Sequence, residues 1–142
     1  MTKAATQRPD PRVMQGVIPY LSYAGRAGEA MDFYARAFGA TELGRMPEEG
    51  SPGRLMHGQV EINGGAFMVT DHAGPEGPPP TILPGGHLQL VVADARAWWD
   101  RAIAASCAQV MPLERQFWGD DWGIVVDPFG INWAILQPGP QT

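Results

Sequence analysis

The strongest constraint on the fold is an order of elements that occurs twice along the chain. Residues 16–71 and residues 87–138 each show the pattern of one strand, one helix and three further strands. A shift of 68 residues places Pro19 on His87 and Met31 on Trp99 without gaps, although the two halves share few identical residues. The repeat is therefore one of pattern, and it predicts an α+β fold built from two βαβββ modules.

Local signals support the elements of the first module, whose first strand is predicted at 16–23. Apolar residues recur at spacings of three and four, which places one apolar face on a helix; they are Ala27, Ala30, Met31, Tyr34 and Phe38. Gly39 is the expected C-terminal stop of this helix. Asn63-Gly64 predicts a tight hairpin turn because both of its central positions need a positive φ.

The second module carries similar signals. Asp94 is the expected N-cap of its helix, because an aspartate carboxylate accepts a backbone N–H of the first turn. Strands are predicted at 87–92, 108–117, 122–127 and 131–137. We expect Asp127 to brace the turn that it forms with Pro-Phe-Gly.

The 142 residues fit one domain over 13–142, preceded by a loose polar tail at 1–12. A linker rich in Pro and Gly at 72–86 joins the modules. Two such modules are expected to curl their sheets around a shared cleft, with the helices outside, and clefts of this kind bind ligands.

Charge and composition exclude several partners. The net charge is −5 and the basic residues are scattered, whereas phosphate binding needs clustered Lys and Arg. We therefore expect no nucleic-acid partner. No secretory signal and no apolar run of membrane-spanning length is visible, which favours a cytoplasmic protein without a membrane partner. The single Cys107 lies in an Ala-rich stretch and is interpreted as a buried, inert thiol.

Two longer motifs carry a resemblance to a known family. PYLSYAGRAGEAMDFYARAFGA (19–40) and QFWGDDWGIVVDPFGINW (116–133), with VTD (69–71) between them, are similar to the PhnB-like branch of the vicinal oxygen chelate proteins, the glyoxalase/bleomycin resistance/dioxygenase superfamily. The resemblance covers roughly residues 16–138. It implies the curled fold and a small-molecule site, but no particular reaction, because the superfamily contains isomerases, dioxygenases, thiol transferases and drug-binding proteins.

The resemblance also implies where a metal would bind. Metal-using relatives supply four ligands from their first, fourth, fifth and eighth strands, and these positions fall at Pro19, Met68, His87 and Ala134. Only His87 is a suitable ligand for a divalent ion. We expect no metal and no other cofactor.

A rearranged metal site remains an alternative. It would use His57, Asp71 or His72, although their spacing does not require it.

Strand alternation predicts which side chains share one face with His87. The candidate ligand-binding residues are Leu21, Tyr23, His57, Met68, Thr70, His87, Gln89, Trp118 and Asn132, with Trp118 at the mouth of the cleft. For Leu21 and Met68, core packing is an equally good interpretation. Among the other tryptophans, Trp133 is expected in the core, and one of Trp98 and Trp99 is expected to face inward.

These patterns favour a metal-independent small-molecule-binding protein of the PhnB-like type that forms a homodimer. One alternative is a glyoxalase- or dioxygenase-like metalloenzyme with a non-standard metal site. Another is a structural dimer with a vestigial cleft.

Overall fold

The computed structural model describes residues 12–72 and 85–140. The described chain divides into two compact units. Unit 1 contains residues 12–35 and 39–72, and unit 2 contains residues 36–38 and 85–140. Most of the predicted tail (1–12) and most of the predicted linker (72–86) lie outside the described residues.

Unit 1 has the predicted order of elements, with one helix and one mixed sheet. Its elements are β1 (Tyr20–Ser22), α1 (Ala27–Phe38), β2 (Thr41–Pro47), β3 (Leu55–Ile62) and β4 (Gly65–Thr70), although residues 36–38 at the end of α1 belong to unit 2. The strand order is β1-β4-β3-β2, with β1 parallel to β4 and the other pairs antiparallel.

Unit 2 repeats this arrangement. Its elements are β5 (Leu88–Val91), α2 (Ala95–Ala104), β6 (Ala108–Arg115), β7 (Asp121–Val126) and β8 (Asn132–Gln137). The strand order is β5-β8-β7-β6, with β5 parallel to β8. The α+β class and the two βαβββ modules are therefore confirmed, and neither sheet closes on itself.

The repeat of 68 residues is present in the structure. Strand β1 begins at Tyr20 and β5 at Leu88, while α1 begins at Ala27 and α2 at Ala95. The predicted first strand (16–23) is too long, because pairing begins only after Pro19. Proline has no N–H to donate, although the Pro19 carbonyl accepts a bond from the Met68 N–H at 2.9 Å.

The local turn and cap signals are confirmed. Gly39 adopts the left-handed conformation at the end of α1, with φ of 66°. Asn63 and Gly64 both have positive φ, at 52° and 82°, as the hairpin turn requires. Asp94 caps α2, since its Oδ1 accepts the Ala97 N–H at 3.1 Å.

In each unit, a side chain at or just after the end of the last strand also accepts a hydrogen bond from the first N–H of the helix. In unit 1, the Ala27 N–H donates to Asp71 Oδ1 at 2.9 Å. In unit 2, the Ala95 N–H donates to Gln137 Oε1 at the same distance. Because the first N–H groups of a helix have no partner within the helix, both contacts satisfy a donor and tie the helix to its sheet.

Each helix covers one face of the sheet in its own unit. In unit 1, Met31 lies against Gly58, and the Tyr34 ring contacts that of Phe67 at a centroid distance of 5.4 Å. In unit 2, Trp99 lies against Gly123, and both Trp99 and Trp133 are buried. Within the described parts of the chain, no helix is long and apolar enough to span a membrane.

Candidate functional site

The face of the unit 1 sheet opposite α1 is defined by the strand register. Met68 pairs laterally with Tyr20 on one side and Gln59 on the other. Laterally paired residues point to the same face of a sheet, so these three side chains lie together. His57 follows the same alternation along β3.

Leu21 and Tyr23 were wrongly assigned to this face. Leu21 pairs with Val69, which is fully buried. The Tyr23 hydroxyl lies 2.8 Å from that of Tyr34 on α1, in the core. The error is a shift of one residue in a strand, which turns every side chain to the opposite face.

A chain of polar contacts crosses the face opposite α1. The Tyr20 hydroxyl lies 2.7 Å from His57 Nδ1, and His57 Nε2 lies 3.5 Å from Gln59 Oε1. The Gln59 amide in turn donates to the Met14 sulfur. If His57 carries its proton on Nε2, Tyr20 donates to Nδ1 and every hydrogen bond of the chain is donated in the same direction, from Tyr20 toward Met14. Partial burial raises the pKa of the Tyr20 phenol above its ordinary 10.0, so Tyr20 stays a neutral donor at neutral pH.

Thr70 is on this face, but its hydroxyl forms hydrogen bonds with backbone groups. Its hydroxyl lies 2.7 Å from the Met56 carbonyl and 2.8 Å from the His72 carbonyl, and it accepts the His72 N–H. These contacts occupy the hydrogen-bonding capacity of the side chain and fix the end of β4. Met68 is buried beside it.

The face of the unit 2 sheet opposite α2 carries the other candidates. Gln89 pairs with Ala134, which pairs with Ile124, so these side chains share one face. Asn132 pairs with Val126 on the same face. Gln89 is exposed and Asn132 is half-buried, whereas the residues that face α2 are mostly buried.

An aromatic row continues this face, and we use that name for His87, Trp122, Trp118 and Phe117. The His87 and Trp122 rings are 6.1 Å apart, and those of Trp122 and Trp118 are 6.0 Å apart, both edge to face. Phe117 contacts Trp118 at 5.0 Å. Trp118 is 48% exposed and Phe117 is 98% exposed. Exposed aromatic rings of this kind offer flat apolar surface to a ligand.

The expected metal positions do not fit a divalent ion. Met68 offers only a thioether, Pro19 has no donor atom in its side chain, and Ala134 is a fully buried methyl group. Among residues 12–72 and 85–140, no three His, Cys, Asp or Glu side chains lie close enough to hold one ion.

The residues of the rearranged metal site have other partners. Asp71 is buried, and its two oxygens accept the N–H groups of Gly25, Ala27 and Leu55 at 2.7–2.9 Å. His72 Nδ1 lies 2.9 Å from Glu48, whose pKa is lowered by hydrogen bonds from Arg54 first and His72 second. Asp71 thus holds loops and the start of α1, which the VTD motif alone did not reveal.

Other predictions about single residues are confirmed. Asp127 braces its turn, with Oδ1 accepting the N–H groups of Phe129 and Ile131. Trp133 and Trp99 are buried, while Trp98 is half-buried. Cys107 is buried, and burial together with the Asp127 charge raises its pKa to about 12, which makes it a poor nucleophile.

Two residues of these faces were missed from the sequence. Tyr20 was left out of the candidates because of the same one-residue shift, and Trp122 was not paired with His87. The signal for Trp122 was its alternation with Ile124 along β7, which becomes useful only once the register with β8 is known.

The chain belongs to the Glyoxalase/Bleomycin resistance protein/Dioxygenase superfamily, whose family profile matches residues 17–135. A protein of Mycobacterium tuberculosis (strain H37Rv) is 42% identical over 118 residues, covering 79% of this chain and 68% of that protein. This confirms the resemblance inferred from the two long motifs.

Solved structures share the fold. TioX from Micromonospora sp. ML1 has a TM-score of 0.66 at 26% identity, covering 90% of this chain and 99% of its own. A PhnB protein from Bacillus cereus has a TM-score of 0.67 at 23% identity, covering 87% and 99%. PhnB-like proteins are thus among the structural neighbours.

Proposed function

We propose that this chain binds a small organic molecule with an aromatic portion, and that it does so without a metal ion. The observation that carries the proposal is the aromatic row of unit 2. Three of its four members, His87, Trp118 and Phe117, are exposed on the side of the sheet that α2 leaves uncovered. A soluble protein gains no stability from exposed rings, and such patches commonly mark binding surfaces.

The polar groups beside the aromatic row would orient a bound ligand. Gln89 and Asn132 present amide groups on the same face, and His87 adds an imidazole. A few oriented polar groups in an apolar surround are the usual composition of a small-molecule site. The ligand that fits this set is flat and apolar on one side, with at least one hydrogen-bonding group.

The chain Tyr20–His57–Gln59 on unit 1 supports binding of the same class of molecule. The phenol is half-exposed and already engaged with His57, which limits its rotation. A preorganised donor loses little conformational entropy when it meets a ligand.

Binding without a metal is favoured over metal-dependent catalysis by the donor types. Three of the four expected ligand positions hold Pro19, Met68 and Ala134, and the carboxylate of Asp71 is occupied by backbone N–H groups. A metalloenzyme would need a new ligand set, and a set that used Asp71 would also need a rearranged backbone at the start of α1.

The test is a thermal-shift screen of aromatic and apolar compounds on the unmodified protein and three variants. A ligand that binds the folded state raises the melting temperature. We expect hits whose effect is lost in His87→Ala and Trp118→Ala and kept in Ile103→Ala, which changes an exposed apolar residue on α2. Hits that stabilise all variants equally would contradict the proposal, and a screen without hits would favour the structural role.

A further inference from the structure

We propose a second ligand site on the helix side of unit 2, which takes a single-ring aromatic carboxylate. It is a half-open cavity of about 140 Å³ lined by Phe38, Ala97, Trp98 and Arg101. All four residues belong to unit 2. The sheet face that carries the aromatic row lies on the other side of this unit, so the cavity is a separate site.

The cavity is built by the packing of two helix segments. Ala97, Trp98 and Arg101 are spaced so that they share one side of α2. Phe38 is the last residue of α1, and its ring is held by Trp133 at a centroid distance of 4.7 Å. The apolar wall of the cavity therefore consists of the Phe38 ring, which packs on the core, the half-buried Trp98 indole and the Ala97 methyl group.

Arg101 gives the cavity its charge. Its Nε donates to the Arg36 carbonyl at 2.7 Å. This carbonyl lies in the last turn of α1, where carbonyl groups have no N–H partner within the helix. The bond orients the guanidinium plane, and Arg101 remains exposed.

The chemistry of the lining selects the ligand class. Aromatic and methyl surface favours an apolar ring, and a guanidinium binds carboxylates through paired N–H groups. An apolar cavity of about 150 Å³ accommodates benzene in another protein, so a benzoate-sized ring fits the volume here. The open side leaves the carboxylate partly hydrated beside Arg101.

Benzoate is the probe, and the tryptophan indole N–H signals in a ¹H–¹⁵N spectrum are the readout. The chain has five tryptophans, and the Trp98→Phe variant identifies the Trp98 signal. We expect the Trp98 signal to move saturably, with a Kd on the order of 1 mM for so small a ligand. His87→Ala should leave this titration unchanged, because His87 belongs to the other site.

Charge recognition is tested by a matched pair of variants. Arg101→Gln should weaken benzoate binding about tenfold, as expected for loss of a partly solvated charge-assisted hydrogen bond. Arg96→Gln removes the same charge from the same helix outside the cavity and should have no effect. Benzyl alcohol, which lacks the carboxylate, should bind both variants equally.

Two results would overturn the proposal of this second site. One is the absence of a saturable Trp98 shift up to about 20 mM benzoate, roughly twenty times the expected Kd. The other is equal weakening by Arg101→Gln and Arg96→Gln, which would reduce the effect to net charge.

Discussion

Gly123 lies so close to Trp99 that a Cβ on this glycine would stand 2.8 Å from Cζ3 of the indole. The same relation exists in unit 1, where Gly58 lies against Met31. Met31 and Trp99 are 68 residues apart, which is the period of the repeat. In both units a strand glycine makes room for the large side chain with which the helix packs on its sheet.

Alanine substitutions at these glycines should be destabilising to different degrees. Gly123→Ala should lower the free energy of unfolding by about 2–3 kcal/mol, because the Leu113 backbone at 2.7 Å cannot move aside. Gly58→Ala should cost about 1–2 kcal/mol, since the flexible Met31 can rearrange, whereas the buried, β-branched Val69, whose Cγ2 would stand 2.8 Å away, has less freedom to move. Gly65→Ala is the control, as its nearest neighbour would be 3.7 Å away. Urea unfolding measures all three, and a neutral Gly123→Ala would contradict this packing.

Replacing the Asp127 carboxylate by an amide should destabilise the fold. Its Oδ2 accepts the indole N–H of the buried Trp133 at 2.9 Å, while Oδ1 accepts two backbone N–H groups. In Asp127→Asn one accepting oxygen becomes a donor, so we expect a loss of about 2–3 kcal/mol in unfolding free energy. Asp94→Asn is the matched control, because asparagine caps helices as well as aspartate. The loss should shrink when Trp133→Phe is also present, and an unchanged loss would exclude the indole contact as its source.

Cys107 should be unreactive in the folded protein. With its pKa raised from 9.0 to about 12, the thiol is almost wholly protonated at pH 8. A thiol-specific reagent should therefore label the folded chain far more slowly than the chain in denaturant. The raised pKa also favours the folded state below pH 9, and this stability is lost as the pH rises from 9 toward 12. Unfolding free energies measured over that interval should fall less steeply for Cys107→Ala than for the unmodified protein.

The protein should contain no stoichiometric, tightly bound metal. Proline, methionine and alanine at three of the four expected positions leave His87 alone as a ligand. Elemental analysis of protein purified without chelator tests this. One equivalent of zinc, nickel or iron that disappears in His87→Ala would overturn this prediction.

We expect the chain to form a homodimer, and strand β6 offers one surface for it. This strand is an edge of its sheet, with Val110 51% and Met111 43% exposed. Exposed apolar edges promote pairing with another chain. Sedimentation should show a dimer at micromolar concentration and a shift toward monomer in Val110→Lys. A monomer in the unmodified protein would contradict the prediction.

The amino-acid sequence determined the features that depend on neighbours along the chain. Gly39, Asn63-Gly64, Asp94 and Asp127 act within a few residues of themselves, so their backbone requirements are visible in the sequence. The order of elements and the 68-residue period follow from hydrophobic spacing for the same reason.

Only the tertiary structure decided which side chains meet. A one-residue shift in β1 moves Tyr20 to the face opposite α1 and Leu21 and Tyr23 to the core, and the register with β4 sets that shift. The role of Asp71 is also tertiary, because its partners Gly25 and Leu55 lie 46 and 16 residues away. Candidate residue types were thus visible in the sequence, but their grouping into sites depended on pairing between distant strands, which no local pattern contains.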